Sequence, residues 1–239
     1  MATEREPEIV LYDLACIKNV CFSPVVWRIR MILNYKRIPY KTIFLEFPDI
    51  EPTLKALGVH PPPPSTKYTV PTIHHIPTNT HITDSPPIAA FLTEHYPTPP
   101  LPLTTPLGQQ IESLSRTALG ITVRTSCTPR EIHILSPRAQ EFFRTTREAT
   151  MNRTLESLLE NEEQVWQKAD EDLKKIGEML LSAGGPFVNG AEVSYTDFFI
   201  AGSLQCIRVI DEGVWERYMA YKGFKEIYEA CGEWLERKD

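Results

Sequence analysis

The chain has 239 residues, of which 42% are hydrophobic, 10% aromatic and 23% charged, a balance that excludes whole-chain disorder and suits one large domain or two compact ones. A formal net charge of -6 offers no broad basic field, which argues against a nucleic-acid binder. Five scattered cysteines, Cys16, Cys21, Cys127, Cys206 and Cys231, are odd in number and make no disulfide framework. The acidic start, Met1 to Glu8, lacks the basic and apolar runs of a secretory signal, and no segment approaches about 20 apolar residues. The expectation is a cytoplasmic protein with no membrane partner.

Ile9-Val10-Leu11-Tyr12 is a short apolar run of buried-strand type, and Val25 to Tyr35 carries apolar residues at helical spacing behind Pro24. Lys41 to Leu45 alternates as a strand does, and Ile50 to Leu57 suits a short helix opened by Asp49. After the run Pro61 to Pro64 come two short strands, Thr72 to His75 and His81 to Thr83, then a helix from Ser85 to His95. The order is β-α-β-α-β-β-α. Tyr96-Pro97-Thr98-Pro99-Pro100-Leu101-Pro102 can sustain neither helix nor central strand, so residues 96–106 read as a proline-rich linker between domains at 1–95 and 107–239. Beyond it the pattern is helical: Leu107 to about Ser126, Pro137 to about Ala183 with one possible break, Ser194 to about Asp211, and Phe224 to Leu235. The halves differ in composition, since 18 of the 21 prolines fall in residues 1–106, whereas residues 98–239 carry the whole acidic excess.

Three stretches carry chemistry. Ser23 precedes a proline suited to a first helical turn, so its hydroxyl stands at an electropositive helix end, where it either caps the helix or hydrogen-bonds a bound thiolate. Val70-Pro71 places a proline at a strand entrance, where a cis bond exposes the backbone of Val70 to a peptide-like ligand. At Thr83-Asp84-Ser85-Pro86-Pro87, Ser85 either only caps a helix or also takes a carboxylate, while Asp84 suits an ammonium. His74-His75 has no further ligand at metal spacing and points to both faces of a strand, so no metal is expected. Arg144 and Arg147 either line a cleft or make surface pairs with Glu141 and Glu148.

These stretches, in this order and followed by a helical half, resemble the glutathione S-transferase superfamily over nearly the whole chain. The resemblance implies an α+β two-domain fold, with a thioredoxin-like amino-terminal half and an all-helical carboxy-terminal half. Val193-Ser194-Tyr195-Thr196-Asp197-Phe198 looks like the superfamily's capping box and hydrophobic staple, a folding signal in its own right. Trp27 to Tyr40, Phe47 to Pro52 and Phe142 to Glu148 look like the serine-type fungal class related to bacterial etherases. That class implies glutathione as cosubstrate with its thiolate stabilised by Ser23, and a small hydrophobic or aromatic second substrate. Val70 and Pro71 would hold the cysteinyl backbone, Asp84 and Ser85 the γ-glutamyl end, and Lys67 or His60 the glycyl carboxylate. Phe22 and Trp27 are expected to wall an apolar substrate pocket, and the resemblance implies a homodimer. Ether cleavage or isomerisation would use the same thiolate, a binding protein without turnover would keep only the site, and a reactive Cys21 would make the chemistry reductive.

Overall fold

Strand β1 (Ile9–Leu14) is buried along its whole length and forms the centre of the amino-terminal half. It pairs in parallel with β2 (Tyr40–Leu45) and antiparallel with β3 (Thr72–His75), which pairs antiparallel with β4 (Thr80–Thr83), giving the sheet order β2-β1-β3-β4. Helix α1 (Pro24–Tyr35) is the crossover between the parallel strands, α2 (Ile50–Ala56) follows β2, and α3 (Ser85–His95) follows β4. The computed structural model describes residues 6–61 and 63–237; most of the acidic start, and Pro62 of the proline run, lie outside them.

Among the described residues, seven further α-helices make the second half: α4 (Pro106–Ser126), α5 (Thr128–Glu131), α6 (Pro137–Met151), α7 (Glu162–Leu180), α8 (Tyr195–Ile210), α9 (Glu212–Met219) and α10 (Phe224–Ala230). The expected α+β architecture is therefore present, a thioredoxin-like unit followed by an all-helical one. The short helices α5 and α9 were not expected. The long helical pattern from Pro137 is broken at Asn152, whose φ of 52° ends α6 in the left-handed region. No helix among the described residues is long and apolar enough to cross a membrane.

Helix α8 is the axis of the helical half, buried on nearly every side. Its start is locked by Asp197, which accepts from the Ser194 backbone N–H and hydroxyl, both at 2.7 Å, and from the Val188 N–H at 2.8 Å. Gly202 lets α8 approach α1 closely, since a Cβ there would stand 3.0 Å from that of Trp27. The halves are also tied at the loop after β1, where the Ile17 N–H donates to Ile134 O at 2.9 Å and the Lys18 ammonium to Val209 O at 2.5 Å. Arg138 on α6 adds a fork to Asp49, both bonds 2.7 Å. Asp49 was expected to cap α2, but its side chain makes no capping bond and serves this pair.

Beneath the loop that leads into α1 lies a fully buried ion pair. Arg30 donates to Asp13 at 2.9 Å with both side chains 0% exposed. It also reaches Thr42 Oγ1 at 3.1 Å and the Tyr40 hydroxyl at 3.3 Å, while Asp13 accepts from the Leu14 N–H at 2.6 Å. The pair joins β1, α1 and β2. Removing one member leaves the other charge buried alone, so Arg30→Gln is expected to cost about 3–5 kcal/mol, read as a lower urea midpoint at unchanged slope. The double variant Asp13→Asn/Arg30→Gln should lose less than the single one. Equal or greater loss in the double variant would show that the ion pair is not what the site rests on.

Candidate functional site

The sheet register brings the three sequence stretches to one end. Because β3 runs antiparallel to β1 and opens with Thr72 opposite Tyr12, the Val70-Pro71 segment stands at the carboxyl end of β1, where the loop to Ser23 also begins. β4 ends with Thr83 opposite Thr72, so Asp84-Ser85 arrives at the same end. The carboxyl end of a β-α-β sheet is where such folds place ligands.

Ser23 is the residue before α1 and is 3% exposed. Its carbonyl accepts from the Trp27 N–H at 2.9 Å, but its hydroxyl makes no capping bond. Capping, one of the two readings of this serine, is thus not what the hydroxyl does. Pro24 has no N–H, so Val25 and Val26 are left as the backbone donors of the first turn. An uncommitted hydroxyl beside two such donors is a place for an anion.

The Val70–Pro71 bond is cis, and Val70 is 8% exposed. Pro71 O accepts from the Asp84 N–H at 3.1 Å, the Thr69 hydroxyl donates to Asp84 Oδ1 at 3.1 Å, and the Thr72 hydroxyl donates to Thr69 O at 2.9 Å. The first two fasten the two stretches to each other, and the third braces the turn around Val70-Pro71. Asp84, not Ser85, is the residue before α3; it stands at φ 74°, ψ 142°, a conformation that costs a non-glycine residue about 1–3 kcal/mol and is common at binding sites. The expectation that Ser85 caps α3 is corrected, since Ser85 is the first helical residue, 6% exposed. Pro86 and Pro87 lack N–H groups and the Ile88 N–H donates to Asp84 O at 3.1 Å, leaving Ser85 as the backbone donor of this helix end.

Phe22 and Trp27 do not present the open apolar wall expected of them. They are 2% and 0% exposed, and the Trp27 indole donates to Cys21 O at 3.0 Å. Their place is the core beneath the loop, because α1 packs this face against α8. His60 and Lys67 are exposed in the segment before Val70. Arg144 is taken by Glu148 at 2.8 Å and Glu156 at 2.7 Å, whereas Arg147 lies over the rings of Phe143 and Phe47 at 5.0 and 5.8 Å. His74 stacks on His81 across the hairpin at 4.4 Å, and among the described residues no three metal-ligating side chains converge.

The chain also matches known families and structures. The family model described as glutathione S-transferase, N-terminal domain, matches residues 22–95, and that described as glutathione S-transferase, C-terminal domain, matches residues 107–234. The chain belongs to the glutathione S-transferase family. A glutathione S-transferase-like protein, ustS, of Aspergillus flavus is 30% identical, over 90% of this chain and 85% of that one. The glutathione S-transferase CsGST63524 of Ceriporiopsis subvermispora, solved in complex with glutathione, has 28% identity and a TM-score of 0.86 over 97% of this chain and 99% of that one. Glutathione transferase GSTFuA2 of Phanerochaete chrysosporium has 29% identity and a TM-score of 0.84 over 98% and 100%.

Cys21 and Glu131 differ in what the sequence suggested of them. Burial, followed by the Asp13 charge, holds the Cys21 thiol well above its ordinary value, which opposes the thiolate that a reductase needs. All five cysteines are buried, so the native protein should show no fast-reacting thiol with an aromatic disulfide reagent and five once denatured; rapid native labelling of Cys21 would restore the reductive reading. Glu131, at the end of α5, was missed, because nothing in its sequence context distinguishes it from a surface glutamate. The residue is half-buried, and desolvation pushes its carboxyl up to about 7, with the Arg147 charge working against the shift. An unfolded glutamate titrates near 4.3, so between about 4.3 and 7 the folded state binds the extra proton and stability falls as pH rises. Glu131→Gln is expected to remove that fall, so its melting temperature should exceed that of wild type at pH 8 and match it at pH 4.5. Parallel curves across this range would refute the raised carboxyl.

Proposed function

We propose that this protein is a glutathione transferase that binds glutathione as its thiolate at Ser23 and directs it at a small electrophile. The observation that carries the reading is the buried Ser23 hydroxyl, which caps nothing and stands beside the free N–H groups of α1. A thiol in that place receives a hydrogen bond and a favourable helix end, which together can lower its pKa by about one to two units, at about 1.4 kcal/mol per unit. The thiolate is then the main form at neutral pH. Its sulfur forms a bond to an electrophilic carbon as a leaving group departs with the bonding pair, or adds to an activated alkene that afterwards takes up a proton.

Val70 supplies backbone groups for the cysteinyl unit, with Pro71 setting the bend. Asp84 faces the γ-glutamyl ammonium and Ser85 its carboxylate. Glutathione in the Ceriporiopsis relative supports this ligand. The serine-type fungal class related to etherases is the subclass we assign, from the sequence stretches at Trp27–Tyr40, Phe47–Pro52 and Phe142–Glu148. Cleavage of an aryl ether is the transfer reaction with an aryloxide as leaving group, so one site serves both. By family likeness the working unit is a cytoplasmic homodimer acting in detoxification or natural-product metabolism.

Ser23→Ala should keep glutathione binding within a few-fold, raise the pKa of the bound thiol by about one to two units, and lower turnover at pH 7 by about 10- to 100-fold. Thiolate absorbance against pH, with and without the variant, reads this directly. An unchanged thiol pKa in the variant would remove Ser23 from the chemistry, and no shift in wild type would leave a binding protein without turnover.

A further inference from the structure

Helix α1 carries two buried arginines with opposite surroundings. Arg30, 0% exposed, is neutralised by Asp13 at 2.9 Å. Arg28, 8% exposed, has no carboxylate within ion-pair distance among the described residues, and its Nε has no hydrogen-bond partner. Its polar neighbours are the Tyr195 side chain on α8, which hydrogen-bonds it, and more weakly Glu112, which favours its charge, while Arg116 on α4 acts against it. The guanidinium lies 4.1 Å from the centre of the Phe199 ring, and that of Arg116 lies 5.0 Å from the same ring. Glu112, the nearby acid, is engaged by Arg116 at 3.5 Å and by the Thr196 hydroxyl at 3.0 Å.

A cation taken out of water without a counter-ion is costly, and an aromatic face offsets only part of that cost. Arginine is also the side chain best fitted to grip a planar oxyanion through two parallel N–H groups. The placement is telling. Residues three and four apart share a helix face, so Arg28 lies on the face of Pro24 and Val25, both partly exposed. The charge of Arg28 therefore stands about a turn and a half along α1 from Ser23, on the side that faces the helical half.

We propose that Arg28, supported by Tyr195 and Arg116, receives the oxyanion of an acidic cosubstrate, a carboxylate or phenolate on an apolar frame, and so selects what the Ser23 site acts on. This rests on the thiolate reading for its meaning, but the anion seat can be tested without glutathione. The seat is assigned to the cosubstrate and not to a carboxylate of glutathione, because Val70, Asp84 and Ser85 gather at the sheet end, whereas Arg28 faces α8.

The test is a calorimetric titration of the full chain with 4-phenylbenzoate and with its neutral match, 4-phenylbenzamide, with and without glutathione. Wild type should prefer the anion by at least about 10-fold, a preference lost in Arg28→Gln and retained in part by Arg28→Lys. Glutathione affinity should change less than about two-fold in Arg28→Gln. Because the native charge is unmatched, Arg28→Met without ligand should melt no lower than wild type. Equal affinity of wild type for the two probes, or a preference that survives Arg28→Gln, overturns the proposal, as does an Arg28→Gln loss confined to glutathione, which would give the seat to the tripeptide. Should either variant fail to fold, Arg28 is a structural strut and the proposal falls. If glutathione does not bind while the anion preference holds, the thiolate reading fails and the anion seat stands.

Discussion

The buried pair of Asp13 and Arg30 fixes α1 on its sheet, and with it the position of Ser23. Asp13 is the next-to-last residue of β1, Arg30 is halfway along α1, and Arg30 also reaches Tyr40 and Thr42 on β2. A crossover helix packed only by apolar residues can slide or rotate on its sheet at small cost. A charge pair sealed from water cannot, because any displacement leaves an uncompensated ion in a low-dielectric interior. Burial raises the Asp13 carboxyl above its ordinary value while Arg30 and the hydrogen bonds work against that shift. Fixing α1 in this way fixes where its first turn ends, and with it the hydroxyl of Ser23.

The second half of the chain completes the site by constraint. Asp197 draws the Ser194 turn and the Val188 backbone onto the start of α8, and Gly202 lets that helix lie against α1. The backbone of Ile17 and the ammonium of Lys18 then attach the loop after β1 to carbonyls of Ile134 and Val209. The loop that delivers Ser23 is thus held from below by its own sheet and from the side by the helical half. Trp27 and Phe22 belong to that support, which is why they are buried and not presented to a ligand.

Much of this was legible in sequence because it is local. Period-two and period-3.6 patterns mark the strands and long helices, prolines mark helix starts, and Ser194 with Asp197 marks a capping box. What was not legible depends on neighbours distant in the chain. Asp49 looks like a helix cap until Arg138, 89 residues away, claims its carboxylate. Asp84 rather than Ser85 ends up before α3, because Thr69 and Pro71 hold it in a conformation that local propensity disfavours. Glu131 has the surroundings of a surface glutamate in sequence, but in space it is half-buried and desolvation raises its carboxyl. The short helices α5 and α9 carry too few turns to show a period.

By itself the sequence determined the order of the strands and long helices, the helix starts at Ser23 and Ser194, and the family, since these rest on spacing along the chain. Only the tertiary structure decided which serine hydroxyl is free, which aromatic rings are core, and which of two arginines two residues apart has a counter-ion. The physical reason is that capping, burial and charge compensation are settled by groups that folding brings together. Arg28 and Arg30 are alike in sequence, and the difference between them is a carboxylate that β1 places beside one and not the other.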